Sequence, residues 1–163
     1  MAEELSKVPL QRIDYDDKII VAWSKAIEGN KDILNWLDEN GYEELVRTTY
    51  AIFLKQDDRD WLEANGYAHL LAMVNAAEGN ESAQQWLKTH NFEILYHIAL
   101  AVEDEQESFV WLNKHATPDI FMLARSIKKV KDNIEFGNND MYSFGRDYWF
   151  FTIVQNLLAL HRI

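Results

Sequence analysis

A Trp-Leu dipeptide recurs every 25 residues, and this spacing constrains the fold of the chain more than any other feature of its sequence. The four pairs begin at Trp36, Trp61, Trp86 and Trp111. A fixed period of this length is typical of repeat proteins, in which each repeat is one supersecondary unit. Because the 163 residues include only two prolines and six glycines, helical repeats are favoured over a turn-rich β fold.

Each repeat is predicted to be a helical hairpin, with a short helix, a tight turn, a longer helix and a polar loop. N-caps are predicted four residues before each Trp, because Asp and Ser oxygens accept hydrogen bonds from free N–H groups. These residues are Asp32, Asp57 and Ser82. The short helix is predicted to end where Gly or Asn tolerates a left-handed backbone, at Asn40-Gly41, Asn65-Gly66 and His90-Asn91.

The second helix of each repeat carries apolar residues at three- and four-residue spacing, which is the period of one helix face. One column of this helix is small in every copy: Ala26, Ala51, Ala76, Ala101 and Ser126. Small residues at one fixed place allow neighbouring helices to approach closely. A single hairpin cannot bury its apolar stripe, whereas a stack of hairpins makes a continuous core.

We expect one domain over residues 1–163, with residues 1–35 as an N-terminal cap and degenerate repeat. Residues 36–134 then form four 25-residue repeats, and residues 135–163 form an aromatic C-terminal capping segment. In the last repeat, Thr117-Pro118 is predicted to start a helix that ends near Lys128, Lys129 and Lys131, where cations favour a helix C-terminus. A loop is predicted from Phe136 to Asp140, followed by a final helix over residues 146–162.

The predicted fold class is all-α: a right-handed α-α superhelix, or solenoid, of about four to five short-helix/long-helix hairpins with a C-terminal capping helix. Over residues 18–134 the chain resembles the α-solenoid class, the stacked helical hairpins of the ankyrin, HEAT and tetratricopeptide kind. Its unit is shorter, and in length it looks closest to the leucine-rich repeat variant, without that family's cysteine cluster. The resemblance is architectural and implies no functional residue.

Composition excludes several function classes. The formal net charge of −11 disfavours general nucleic-acid binding and adsorption to anionic membranes. The absence of cysteine rules out disulfides, zinc–thiolate sites and a cysteine nucleophile. The N-terminus lacks the apolar segment of a secretory signal and no apolar run is long enough for a bilayer, so a cytoplasmic location is expected.

No catalytic motif, cofactor site or metal site is predicted. The four Trp of the repeats are expected to be core residues between hairpins, where Trp→Ala costs about 3–5 kcal/mol, rather than stacking platforms for a carbohydrate or nucleotide. His90 and His115 occupy the same repeat position, and we expect them to replace Asn at the turn rather than to bind a metal. The clustered acids are expected to favour helix N-termini.

The exposed face of the long helices is the predicted partner-binding surface, because its columns change from repeat to repeat whereas the core columns do not. The candidate contacts are Arg47, Tyr50, Asn75, His97 and Arg125. Tyr and Arg are typical interface anchors. The opposing interpretation of these columns is an ordinary solvated surface.

The predicted function is therefore a non-enzymatic protein–protein interaction module that recognises a protein or peptide partner. Overall acidity favours a partner with a basic patch, for example a basic enzyme that the protein masks. The alternative is a small-ligand-binding protein or an enzyme, with a pocket formed by the last repeats and the aromatic C-terminal helix around Tyr142, Tyr148 and Trp149. The sequence leaves the oligomeric state open.

Overall fold

The computed structural model describes the backbone of residues 8–144 and the side chains of residues 8–137. Within this part of the chain the regular structure is α-helical throughout. The helices are α1 (Asp17–Ile27), α2 (Lys31–Glu39), α3 (Glu43–Ile52), α4 (Gln56–Ala64), α5 (Ala68–Ala76), α6 (Glu81–Thr89), α7 (Glu93–Val102), α8 (Gln106–His115) and α9 (Pro118–Phe144). Consecutive helices pack against each other, which confirms the predicted all-α helical-repeat fold.

The turns inside the hairpins follow the sequence prediction. Gly41, Gly66 and Asn91 have φ of 87°, 88° and 63°, so each hairpin turns through a left-handed residue at the same repeat position. In the fourth hairpin the backbone is extended at Ala116 instead, and α9 begins at Pro118 as predicted. The two helices of a hairpin differ less in length than expected, because α2 to α8 are all nine or ten residues long.

The predicted N-caps are wrong by two residues. Helices α2 and α6 begin after Asn30 and Asn80, whose side chains accept from the N–H groups of Ile33 and Ala83. Asparagine is as good an N-cap as aspartate or serine, so each helix can begin two residues earlier than predicted. The residues that had been assigned as caps lie in the first turn: Asp32, Asp57 and Ser82.

The predicted loop from Phe136 to Asp140 is also wrong, because α9 continues through it to Phe144. Lys128, Lys129 and Lys131 therefore lie in the middle of a helix and not at its C-terminus. They face carboxylates of other elements instead: Lys128 pairs with Asp104, Lys129 with Glu28 and Lys131 with Glu78. Packing against other helices prolongs α9 beyond the point that the repeat period indicates.

The second helices of the hairpins, together with α1, form a closed ring. Helices α1, α3, α5, α7 and α9 contact one another in that order, and α9 also packs along α1. The Ser126 hydroxyl donates to the Glu28 carboxylate at 2.9 Å across this last contact. One side chain each from α3, α5, α7 and α9 meets at the centre, where no room for water remains: Ile52, Met73, Ile98 and Ile127. The inner sides of these helices form a common core and not an open concave surface.

The core contains the leucine of every Trp-Leu pair together with the small column of the second helix. Each of these leucines is completely buried: Leu37, Leu62, Leu87 and Leu112. The small column is buried too, at Ala26, Ala51, Ala76, Ala101 and Ser126, which confirms its role in close helix packing. Trp23 of α1 is also buried, and its indole N–H donates to Thr49 Oγ1 at 3.0 Å.

Before α1, the chain crosses the turn of the second hairpin. The Gln11 N–H donates to the Gly66 carbonyl at 2.9 Å, and the Tyr15 hydroxyl donates to Glu44 at 2.8 Å. A Cβ on Gly66 would lie 2.6 Å from the carbonyl oxygen of the crossing segment, so only glycine allows this approach. The segment helps to bury His69, whose ring lies between the rings of Tyr67 and Phe92.

Candidate functional site

The prediction that the repeated Trp residues are core residues is wrong for Trp36, which lies on the surface, and holds only in part for Trp61, Trp86 and Trp111, which pack against the edge of the core. Trp36 is 46% exposed and the other three are half-buried. Three of them stack on the aromatic residue six positions later, with ring centroids 5.8–6.2 Å apart: Trp36 on Tyr42, Trp61 on Tyr67 and Trp86 on Phe92. The neighbouring Leu of each pair occupies the core position and is completely buried.

His90 and His115 act as the expected substitutes for asparagine. The side-chain N–H of Asn40 donates to the carbonyl of Trp36, four residues earlier, and Asn65 does the same in the next repeat. His90 and His115 place Nδ1 2.8 and 3.1 Å from the equivalent Trp carbonyls, so Nδ1 carries the proton. Each ring also stacks on its own Trp, at 4.1 and 4.7 Å. Asparagine in two repeats and histidine in the other two therefore bond the equivalent Trp carbonyl.

Arg47 is held by contacts within the chain. Its guanidinium donates to Asp58 at 3.1 Å and to Glu43 at 3.0 Å, and it lies 5.2 Å from the centre of the Trp61 ring. The hydrogen bonds that Arg47 donates to these two carboxylates raise its pKa. About a third of the side chain remains exposed, so Arg47 is both a brace and part of the surface.

His97 occupies the equivalent place in the third hairpin. Its Nδ1 lies 3.1 Å from Ser108 Oγ, and its ring stacks on Trp111 at 4.0 Å. Desolvation by these neighbours lowers the pKa of His97. In the intervening hairpin both partners are alanine, at Ala72 and Ala83. Two columns eleven residues apart therefore change together, and this covariation was visible in the sequence.

Of the three remaining predicted contacts, one is bonded within the chain and two are exposed. Asn75 is half-buried and its side-chain oxygen accepts from Arg59 at 3.1 Å. Arg125 is exposed at a wide depression beside Phe109, of about 610 Å³, near the end of the stack. Tyr50 is 40% exposed, and its hydroxyl bonds to no described residue. The structure brings together only Arg47 and Tyr50 of the five at one surface cavity.

Two adjoining cavities meet at Tyr50, and we call them together the Tyr50 groove. The first, of about 210 Å³, lies between α1, α2 and α3 and is lined by Ala26, Gly29, Asn30, Lys31, Leu34, Asn35, Thr49, Tyr50, Phe53 and Lys55. The second, of about 240 Å³, is lined by Leu34, Asn35, Asp38, Glu43, Val46, Arg47 and Tyr50. They share Leu34, Asn35 and Tyr50, so the two cavities adjoin along the first hairpin.

The first cavity exists because Leu34 replaces a longer polar side chain. One repeat later Arg59 holds this place, and its Nη2 donates to the Ala51 carbonyl at 2.9 Å. Two repeats later Gln84 does so, donating to the Ala76 carbonyl at 3.1 Å. Leucine has no donor for the corresponding carbonyl of Ala26, and the cavity remains open there.

The residues around this side chain change with it. Arg59 donates to Asn75 near the end of α5 and to Glu78 in the turn that follows it. At the equivalent places beside Leu34 stand Tyr50 and Phe53. Comparing the three columns in the sequence would have revealed a polar set in one repeat and an apolar set in another. Single columns do not show this change, so Leu34 and Phe53 are absent from the contacts predicted from the sequence.

The two ends of the groove carry opposite charge. Lys31 and Lys55 stand exposed at the first cavity, and neither pairs with an acid among the described residues. Asp38 and Glu43 line the second cavity, where Arg47 compensates one of them. A ligand that lies along the groove would meet cations at one end and acids at the other.

Other kinds of site receive no support from the described side chains. Among residues 8–137 no three His, Asp or Glu side chains lie close enough together to hold a metal ion. None of the described helices combines the length and apolarity that crossing a bilayer requires. The alternative pocket around Tyr142, Tyr148 and Trp149 lies outside the residues whose side chains are described. No protein-family model, curated protein or solved structure matches the chain.

Proposed function

We propose that the protein is a non-enzymatic interaction module that recognises a protein or peptide partner through the Tyr50 groove. The observation that carries the proposal is the meeting of two cavities at Tyr50, an exposed aromatic side chain with no bond to another described residue. Tyrosine combines a large contact area with a polar tip and is enriched among interface anchors. A shallow groove open along its length suits an extended chain better than an enclosed small molecule.

The proposed contact surface is narrower than the sequence indicated. Tyr50 is its centre, and Arg47 borders it through the exposed part of its guanidinium. Asn75 and His97 are engaged with Arg59 and Ser108 inside the chain, which argues for a bracing role. Arg125 lies at a separate depression and is proposed as a second, independent contact. The acidic end of the groove is where a basic patch of the partner would be attracted.

A photo-cross-linking experiment tests this function. A benzophenone amino acid replaces Tyr50, and in a matched control it replaces Met122, which is similarly exposed in α9. We expect a protein cross-linked from position 50 and not from position 122. The same product should disappear when unlabelled wild type is added in excess, whereas unlabelled Tyr50→Ala should compete poorly. Identical products from both positions would show that the groove has no partner of its own.

Arg47→Ala is a poor test by itself, because it also breaks the ion pair with Asp58 and uncovers Trp61. Arg47→Lys retains the charge but loses the planar fork that bonds two carboxylates. The partner affinities of Arg47→Lys and Tyr50→Ala are compared to separate the contributions of the two residues, and we expect Tyr50→Ala to lose more affinity. The affinity of Tyr50→Phe measures the contribution of the hydroxyl alone.

A further inference from the structure

The first cavity of the Tyr50 groove is a space into which two of the four repeats insert a polar side chain. Arg59 and Gln84 fill the equivalent space in the next two repeats and reach a backbone carbonyl there. The fold thus accommodates an inserted group at this position without opening the hairpins. Leu34 lines the space in the first repeat and leaves about 210 Å³ free. The same kind of insertion can therefore come from another molecule.

The walls of this cavity determine the chemistry of the inserted group. Where Arg59 meets an amide and a carboxylate, an inserted group here meets the rings of Tyr50 and Phe53 and the side chain of Leu34. A guanidinium would find the Ala26 carbonyl but no counterpart of the Asn75 and Glu78 acceptors that Arg59 reaches, so an apolar group is favoured. Lys31 stands at the mouth as an unpaired cation and attracts an acid beside that apolar group.

Backbone strain marks the same wall. The loops that lead into α2, α4, α6 and α8 each contain one left-handed residue, at Gly29, Leu54, Gly79 and Asp104. Glycine adopts this conformation freely, whereas leucine is strained in it because its Cβ approaches the following carbonyl oxygen. Leu54 has φ of 67°, is 53% exposed, and lies between Phe53 and Lys55, which both line the cavity. Strain of this kind concentrates at functional sites.

We propose that the cavity receives an apolar side chain of a partner's peptide segment, with an acidic residue next to it that pairs with Lys31 and Lys55. This inference rests on the proposed function and specifies the sequence that the groove selects. The segment continues past Asn35 towards Asp38, where its next residues are polar or basic. The partner is thus recognised in one direction, from its acidic end to its basic end.

Two substitutions of one residue separate cavity binding from general stickiness. Leu34→Gln copies Gln84 of the third repeat, so its amide is expected to donate to the Ala26 carbonyl and to place a polar group in the cavity. Leu34→Ala leaves the cavity apolar and enlarges it. A phage-displayed random peptide library is panned on wild type, and fluorescein-labelled copies of the enriched peptides are titrated against all three proteins. Thermal unfolding of each protein checks that the fold is retained.

The enriched peptides are expected to carry Asp or Glu beside Leu, Ile, Phe or Trp. Leu34→Gln should weaken their binding by about tenfold or more, which corresponds to about 1.4 kcal/mol, while Leu34→Ala binds within a few-fold of wild type. The double variant Lys31→Glu/Lys55→Glu should lose the preference for acidic peptides. Equal peptide affinity of Leu34→Gln and wild type would overturn the proposal. So would a set of enriched peptides that lacks the apolar–acidic pair. Displacement of the bound peptides by micromolar dodecanoate would overturn it as well.

The cross-linking experiment at Tyr50 distinguishes the two levels of failure. If position 50 captures a partner and Leu34→Gln binds that partner normally, the cavity is not the recognition site and the interaction function stands. If position 50 captures nothing and the library yields no peptide, the interaction function fails together with its specificity.

Discussion

Arg59 links the first helix of its hairpin to three other parts of the molecule, and removing it should destabilise the fold measurably. Its guanidinium donates to the Ala51 carbonyl at 2.9 Å, to Asn75 at 3.1 Å and to the Glu78 carboxylate. Glu78 in turn lies 3.6 Å from Lys131 of α9, which is almost completely buried. One side chain therefore connects α4 with the ends of α3 and α5, and through Glu78 with α9.

The cost of Arg59→Ala follows from these contacts. A hydrogen bond to a charged group contributes about 1.5–3 kcal/mol, and breaking a buried pair costs about 3–5 kcal/mol. The Arg59 and Glu78 side chains are 14% and 24% exposed, and Lys131 still faces the carboxylate, so the upper range does not apply. We expect a loss of about 3 kcal/mol in the free energy of unfolding for Arg59→Ala. Arg59→Gln keeps the bond to Ala51 and should lose about 1.5 kcal/mol.

Urea unfolding followed by circular dichroism at 222 nm measures both variants against wild type. The expected order of stability is wild type, then Arg59→Gln, then Arg59→Ala, with unchanged dependence on urea concentration. The control is Gln56→Ala, since Gln56 contacts only Asp60 on the surface of the same helix. If Arg59→Gln and Arg59→Ala are equally unstable, the hydrogen bond to the Ala51 carbonyl contributes nothing to stability. An inserted side chain would then not be what distinguishes this space from the cavity beside Leu34.

Three further perturbations test the packing directly. Leu87→Ala should lower the free energy of unfolding by about 3–5 kcal/mol because the side chain is fully buried, whereas Trp86→Ala, at a half-buried side chain, should lower it by about 1–2 kcal/mol. Equal losses in chemical denaturation would show that Trp86 contributes as much to the core as Leu87 does. Gly41→Ala and Gly66→Ala both strain a left-handed turn by about 1 kcal/mol, but only Gly66 is crossed by the N-terminal segment, so its Tm should fall further. Desolvation lowers the pKa of His69, so the unfolded chain binds a proton that the folded chain excludes, and stability falls as the pH drops below the ordinary histidine value of about 6.5. The slope is at most about 1.4 kcal/mol per pH unit for this residue, and titrated denaturation of His69→Phe should show a flatter profile between pH 7.5 and 5.5.

The sequence by itself determined the features that depend on residues close together in the chain. The 25-residue period located the hairpins and the small column, and the Gly and Asn residues placed the turns, because a left-handed turn and a helix end are decided within about five residues. The interpretation of His90 and His115 as substitutes for asparagine was confirmed for the same reason, since both bond a carbonyl four residues earlier.

The tertiary structure decided everything that depends on which surfaces meet. Trp and Leu stand side by side in the sequence, and only the distance between adjacent hairpins determines that Leu37 enters the core while Trp36 remains outside. The contact between α1 and α9 joins Glu28 to Ser126, residues 98 positions apart, and has no periodic signal. The Tyr50 groove also depends on neighbours in space, because Leu34 leaves open the space that Arg59 and Gln84 occupy in the next two repeats. Burial and cavities are properties of neighbours in space, and the repeat period identifies equivalent positions without saying how far each side chain extends towards the next.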